Sequence, residues 1–277
     1  MSRLVGMSEV VIRPRRGWQT INFGEIWQHR ELFAFLVWRD IQIRYRQTLL
    51  GFFWAVLQPL VAMVIFTVLF NRLAGIESDG APYPLFAYSG LVAWTFFTNA
   101  VGASSNSLIG NQQLISKVYF PRLFIPLASV VALAMDMLLN LILVGGLMVY
   151  FQWPVSTSLV WLPVFVLGAI VTASGLGLIL SALNVQFRDV KYAVPFFIQM
   201  GLFTTPVIYP LQYVPERYHA ILAFNPMAGI VEGFRHALLG TPMNWGFTGI
   251  SITVSTMLGL VGVFVFRRIE RHFADVI

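Results

Sequence analysis

The chain has 277 residues, 57% of them hydrophobic and only 11% Asp, Glu, Lys or Arg, with a mean hydropathy of +0.74. A soluble domain carries about a quarter of its residues as charges, so a water-solvated globular protein is excluded. The net charge of +6 and pI of 9.9 match a nucleic-acid binder, but the excess of Lys and Arg sits beside apolar runs, where membrane topology and anionic lipid account for it. With no cysteine there are no disulfides or thiolate metal sites, and no metal centre is expected.

Roughly 120 residues fall in six apolar runs of about twenty, the length that crosses ~30 Å of hydrocarbon at 1.5 Å per residue. The pattern predicts spans at Leu49–Phe70, Leu85–Gly102, Leu123–Tyr150, Leu159–Leu183, Ala193–Tyr209 and Ile250–Phe266. Runs of this length without period-two alternation imply helices, because a backbone in lipid must satisfy its own N–H and C=O groups. The expected fold is an all-α integral membrane protein, with residues 1–24 as a cytoplasmic tail and residues 25–277 as one transmembrane domain.

Basic residues resist translocation and so set the orientation. Arg3, Arg13, Arg15, Arg16, Arg30, Arg39, Arg44 and Arg46 precede the first span. Lys117, Arg122, Arg188 and Lys191 lie in the second and fourth connections, and Arg267, Arg268 and Arg271 in the tail. Only Arg72, Arg217 and Arg235 fall on the opposite side, so both termini are expected in the cytoplasm. The first apolar run starts too far into the chain for a secretory signal, and Arg15-Arg16 is followed by polar residues rather than a twin-arginine signal's apolar core.

Ahead of the first span, Glu25–Trp38 (EIWQHRELFAFLVW) is too charged to cross and too apolar to float free. It reads as an amphipathic helix in the cytoplasmic interface, with Glu25, Trp27, Arg30, Glu31 and Trp38 along it, serving either as an anchor or as a gating helix that meets a cytoplasmic partner. Arg39, Arg44, Tyr45 and Arg46 follow, a basic cluster suited to lipid phosphates or to an anionic lipid-linked substrate. In the second cytoplasmic connection Asn111, Gln112, Gln113, Leu114, Ile115, Ser116 and Lys117 form a short polar-faced helix, stopped by Pro121. A helix lying between two spans is a mechanical handle.

Span three carries the one ionisable residue well inside a span, Asp136, ~21 Å from its start. A carboxylate there costs several kcal/mol unless paired or wetted. Asn140, one turn on, offers a structural polar partner, and a role in substrate passage or proton binding is the other reading. Pro195, Pro206 and Pro210 imply that the fifth span is kinked or broken. Pro215–Phe224 and Asn225–Gly240 then read as two short helices forming a re-entrant outer hairpin, the second capped by Asn225-Pro226 and ended by Gly240. Glu232, Arg235 and His236 share one face of it, as a self-satisfied polar cluster or as an outer gate. Gly145-Gly146, Gly175/Gly177 and Gly229/Gly233 permit close helix approach.

The segments Arg39–Leu60 (RDIQIRYRQTLLGFFWAVLQPL), Leu114–Arg122 (LISKVYFPR), Asn184–Pro210 and Asn225–Gly240 together resemble the permease subunits of ABC-2 type exporters, in the branch that exports O-antigen, teichoic acid and capsule polysaccharide. The resemblance covers nearly everything from residue 25 onward. It implies a homodimer of six-helix subunits in the bacterial inner membrane, paired with two copies of a separate ATPase, which moves lipid-linked polysaccharide through a channel between the subunits. By the same resemblance Asn111–Lys117 is the coupling helix seated on the ATPase and Glu25–Trp38 the gate helix beside it. The residues agree on the division of labour: the only lysines, Lys117 and Lys191, do not follow a glycine, so this chain has no G-x-x-x-x-G-K-[ST] loop. ATP and magnesium therefore belong to the partner, with no cofactor in this chain.

A sliding glycan suits flat aromatic faces. Phe52, Phe53 and Trp54 in span one and Phe196, Phe197, Phe203 and Tyr209 in span five are the channel candidates, with ordinary membrane packing as the other account of each. Two other functions compete. An ion-coupled secondary transporter wants several intramembrane carboxylates or an inverted repeat, and a membrane-embedded glycosyl or acyl transferase wants acids or histidines converging at one face. The chain offers one mid-span carboxylate, and its four histidines, His29, His219, His236 and His272, are scattered.

Overall fold

The computed structural model describes residues 23–46, 51–78, 80–117, 120–187 and 189–270. Most of the expected tail, Arg188 and Arg271 lie outside the described residues, as do the side chains of Glu25 and Phe52. The described residues form helices α1 (Phe23–Gln28), α2 (Arg30–Arg46), α3 (Gly51–Phe66), α4 (Tyr83–Gly110), α5 (Gln112–Lys117), α6 (Phe124–Tyr150), α7 (Leu162–Gln186), α8 (Val190–Thr204), α9 (His219–Ala223), α10 (Pro226–Leu239) and α11 (Trp245–Ile269). A wider helical turn over Thr67–Leu73 extends α3, and a tighter one over Thr157–Trp161 leads into α7.

Among the described residues, four helices are long and apolar enough to cross a bilayer unaided: Phe53–Leu73, Phe124–Tyr150, Thr157–Gln186 and Trp245–Ile269. Helix α4 is long enough, at ~42 Å, but carries Ser89, Ser104, Ser105 and Ser107. It tolerates them because it is the axis of the bundle, wrapped by α3, α6, α7, α8 and α10, with all four serines buried and three of them donating to carbonyls one turn back in α4. Helix α8 stops after 15 residues, short of the Ala193–Tyr209 span the apolar run implies, because Pro206 lacks the N–H that another turn needs.

The core spans the middle of the bundle, with Phe86 and Phe234 fully buried where α4 meets α10, Tyr88 buried where α4 meets α6, and Phe165 of α7 fully buried with them. Helices α7 and α11 approach until backbone meets backbone. A Cβ at Gly175 would lie 2.5 Å from the Leu258 carbonyl oxygen, and Gly262 faces Gly175 from the other side. Thr172 and Ser255 share a hydrogen bond of 2.7 Å across the same seam. Gly145 and Gly146, expected to serve a similar contact, face open space instead.

The segment between α8 and α11 departs from expectation in one respect. Pro215–Phe224 does not make a ten-residue helix; it forms a tight turn at Glu216–Tyr218 and the five-residue α9. Too few backbone bonds close in that length to sustain more. The next helix follows the sequence signals closely: Asn225 Oδ1 accepts from the Met227 N–H at 3.0 Å, Pro226 opens α10, and Gly240 closes it at φ +73°.

Replacing Gly175 with Leu should force α7 from α11 and cost about 1–3 kcal/mol or more, seen as a lowered melting temperature of the purified protein in detergent. Gly145→Ala, with open space around it, should leave that temperature unchanged or slightly raised.

Candidate functional site

One end of the bundle gathers the basic residues, and there a second apolar cluster ties six helices and a loop together. Leu36 of α2, Leu108 of α4, Ile115 of α5 and Phe266 of α11 are buried in it with Phe120 and Phe124, and Leu178 and Ala182 of α7 complete it. Helix α5 hangs on this cluster by Ile115, with Leu114 half-buried, and turns Gln112, Gln113, Ser116 and Lys117 outward. Asn111, expected within α5, instead closes α4: its amide donates to the Ser107 carbonyl at 2.8 Å, and its carbonyl accepts from the Leu114 and Ile115 N–H groups. Close-packed interiors transmit displacement, so a push on the polar face of α5 reaches α2, α4 and α6 together.

The segment ahead of the first span differs from a helix lying flat in the interface. It breaks at His29, and α2 then continues through the basic cluster to Arg46. Three contacts advance in step along α2 and α6: the Phe33 and Phe124 rings at 5.3 Å, Ser129 donating to Asp40 at 3.2 Å, and Arg44 paired with Asp136 at 2.7 Å. Helix α2 therefore runs beside α6, in the same direction, for ~17 Å. Leu36 packs inward against the bundle, while Phe35, Trp38 and Ile43 face outward among the charged residues of the helix. At its start, Trp27 and Glu31 are exposed and the Arg30 guanidinium lies 5.0 Å over the Trp27 ring.

Of the expected entrance residues, Arg44 and Tyr45 meet and the other two do not join them. Arg44 pairs with one Asp136 oxygen, and the Tyr45 hydroxyl donates to the other. Arg39 is held by its neighbour Asp40 at 2.8 Å, and Arg46 is exposed. The Asp136 carboxylate is thus not satisfied by the Asn140 amide, which donates to the Asp136 carbonyl at 2.8 Å and the Ala55 carbonyl at 3.2 Å. Asn140 Oδ1 accepts from Tyr88 at 2.6 Å. A polar vein consequently crosses the bundle from α4 through α6 to α2 and α3. Tyr88, Asp40 and Ser129 belong to it and were not singled out from the sequence; a tyrosine inside a span, whose hydroxyl needs a partner, was the available signal for the first.

The aromatic candidates lie mostly on outward faces. Phe53 and Trp54 on α3 and Phe196 and Phe203 on α8 are exposed, while Tyr209 is half-buried and donates to the Phe203 carbonyl at 3.1 Å. Only 11% of the α3 span is buried, against 44% for α6, so α3 is far less enclosed than α6. Phe197, also largely exposed, borders a mostly apolar cavity of about 460 Å³ between α8 and the rest of the bundle, together with Trp94, Phe97, Leu258 and Asn225.

Beyond α8 the chain is irregular at Thr205–Pro210, and side chains supply the missing hydrogen bonds. Arg235 is fully buried; it donates to the Pro206 carbonyl at 2.7 Å, the Val207 carbonyl at 2.6 Å and Glu232 at 2.7 Å, with its guanidinium 3.7 Å from the Phe86 ring centre. The Tyr83 hydroxyl donates to the Ile208 carbonyl at 2.7 Å, and Asn225 to Thr205 Oγ1 at 2.9 Å. His236 contacts the Thr241 carbonyl at 2.7 Å. Glu232, Arg235 and His236 thus face into the protein, of which Arg235 is the keystone.

These features define a multi-pass membrane protein, with apolar outward helices and a polar handle at its basic end, that has the makings of a transport subunit. The chain belongs to the ABC-2 type transporter family, whose model matches residues 31–239. It is 34% identical over 215 residues to an O-antigen export system permease protein of Myxococcus xanthus, covering 76% of this chain and 81% of that one. A permease of the same description in Klebsiella pneumoniae is 29% identical over 249 residues, 89% of this chain and 95% of that one. A polysialic acid transport protein of Escherichia coli is 24% identical over 232 residues, 82% and 87%.

Arg235→Met should leave the Pro206 and Val207 carbonyls and Glu232 unmet and cost about 3–5 kcal/mol. Loss of the monodisperse folded peak in size-exclusion chromatography would register it. Arg235→Lys, which keeps the charge without the planar fork, should recover only part.

Proposed function

We propose that the chain is the permease subunit of an ATP-driven exporter that moves lipid-linked, O-antigen-like polysaccharide across the bacterial inner membrane. The observation that carries this reading is the near end-to-end correspondence with an O-antigen export permease, over 89% of this chain and 95% of that one, together with the family match from residue 31 to residue 239. The working unit is a homodimer joined to two copies of a separate ATPase. In each subunit α3, α4, α6, α7 and α11 cross the bilayer, and α8 with Thr205–Pro210 makes the sixth passage. Helix α8 supplies ~22 Å of it, and the turns at Thr205–Pro210 continue from its end. Both termini are cytoplasmic, and α9 and α10 dip back into the outer leaflet.

ATP and magnesium act in the partner. Its closure presses on Gln112, Gln113, Ser116 and Lys117 of α5, and the shared apolar cluster passes the displacement to α2 as the gate and to α6. Arg44 and Arg46 meet the phosphates at the cytoplasmic entrance, and the outward aromatics of α3 and α8 line the path between subunits, where stacking without fixed hydrogen bonds lets a repeating chain slide. Two rival functions have less support. The mid-span carboxylate is already paired to Arg44, which disfavours ion coupling, and among the described residues no three His, Asp or Glu converge as a transferase would need.

Proteoliposomes holding this chain and its ATPase should move polyprenyl-linked polysaccharide only when ATP is supplied. Transport driven by an ion gradient with the ATPase left out would overturn the reading. Gln113→Glu combined with Lys117→Glu alters only the exposed side of α5. That variant should insert and fold normally yet lose roughly 1–3 kcal/mol of contact with the ATPase, about tenfold or more in co-purification and export.

A further inference from the structure

Arg44 and Asp136 are unequally enclosed. The Asp136 side chain is 8% exposed and that of Arg44 39%, so the anion is sealed while the cation keeps an open flank. Arg44 and Tyr45 together offer a guanidinium and a hydroxyl donor to the two oxygens of one anion, a set that serves a phosphate as well as a carboxylate. The other charges on this stretch do not compete for Asp136: Arg39 is engaged with Asp40, and Arg46 stands exposed on the last turn. Above the Phe33–Phe124 contact, a 3.2 Å bond from Ser129 to Asp40 also ties α2 to α6.

We propose that Asp136 is a resident stand-in for a phosphate: it occupies Arg44 and Tyr45 until the diphosphate of a polyprenyl-linked substrate displaces it, and the exchange releases the C-terminal half of α2 from α6. No covalent bond changes; one hydrogen-bonded anion replaces another. The N-terminal half of α2 stays packed through Phe33 and Leu36, so the movement is a swing about the basic end. The paired state is the closed gate, and substrate rather than nucleotide alone unlocks it. This rests on the reading of the cargo as a lipid-linked glycan.

The chain lacks cysteine, so Cys introduced at both Asp40 and Ser129 reports α2–α6 contact without background. In the assembled exporter, in nanodiscs of zwitterionic lipid, undecaprenyl diphosphate should slow formation of this disulfide about fivefold or more, and the uncharged undecaprenol should not. Asp136→Asn should bind the diphosphate about tenfold more tightly, and Arg44→Gln about tenfold more weakly. Because the disulfide measurement keeps Asp136 native, it decides the matter if Asp136→Asn fails to assemble. Binding that ignores both Arg44 and Asp136, or a disulfide rate unmoved by bound diphosphate, overturns the exchange alone. Phosphatidylglycerol acting as well as the diphosphate would assign the seat to bilayer lipid and overturn the substrate role. Failure of the native exporter to bind the diphosphate at all would overturn the cargo reading with it.

Discussion

A carboxylate held midway along a lipid-embedded helix has to be neutralised, and Asp136 is neutralised from outside its own helix. The demand is strong enough to organise the chain ahead of the first span. Arg44 and Tyr45 reach Asp136 only because α2 runs alongside α6, to which Phe33 and Asp40 also hold it. From the same position on α6, Asn140 takes a bond from Tyr88 of α4 and gives one to Ala55 of α3. Four helices thereby agree on one depth, a register that apolar packing by itself would leave free to slide.

The backbone poses the same problem at the other end. Unpaired carbonyls are costly in hydrocarbon, so a helix interrupted there survives only if the protein supplies donors. Arg235 and Tyr83 do so for Pro206, Val207 and Ile208. The two ends of the bundle are consequently built by different means. The basic end is held by an apolar cluster shared by α2, α4, α5, α6, α7 and α11, whereas the opposite end is fastened by directional hydrogen bonds.

Sequence reasoning reached furthest where the determinants are local. Asn225, Pro226 and Gly240 define α10 through caps and a left-handed turn, which neighbouring residues specify by themselves. Pro206 marks the end of α8 for the same reason, and the apolar run of α6 marks that span to within a residue. What escaped depends on contacts between distant segments. Asp136 was conspicuous as a lone charge, but its partner lies some ninety residues earlier, on a helix whose charges suggested an interfacial position. The central place of α4 was hidden similarly, since its serines lower its hydropathy and only the surrounding helices explain why they are tolerated. Of the four residues of the candidate entrance, Arg44 and Tyr45 come together on Asp136, while Arg39 pairs with Asp40 and Arg46 is exposed.

Helix α3 and the outer face of α8 contribute little to the folded core. Surfaces that carry no folding burden can drift: an aromatic there can become aliphatic, or a Phe a Trp, at almost no thermodynamic penalty. The inner scaffold must instead be inherited nearly whole, because its glycine seams and buried arginine accept few alternatives. Such an arrangement confines low-cost sequence variation to the outward faces of α3 and α8.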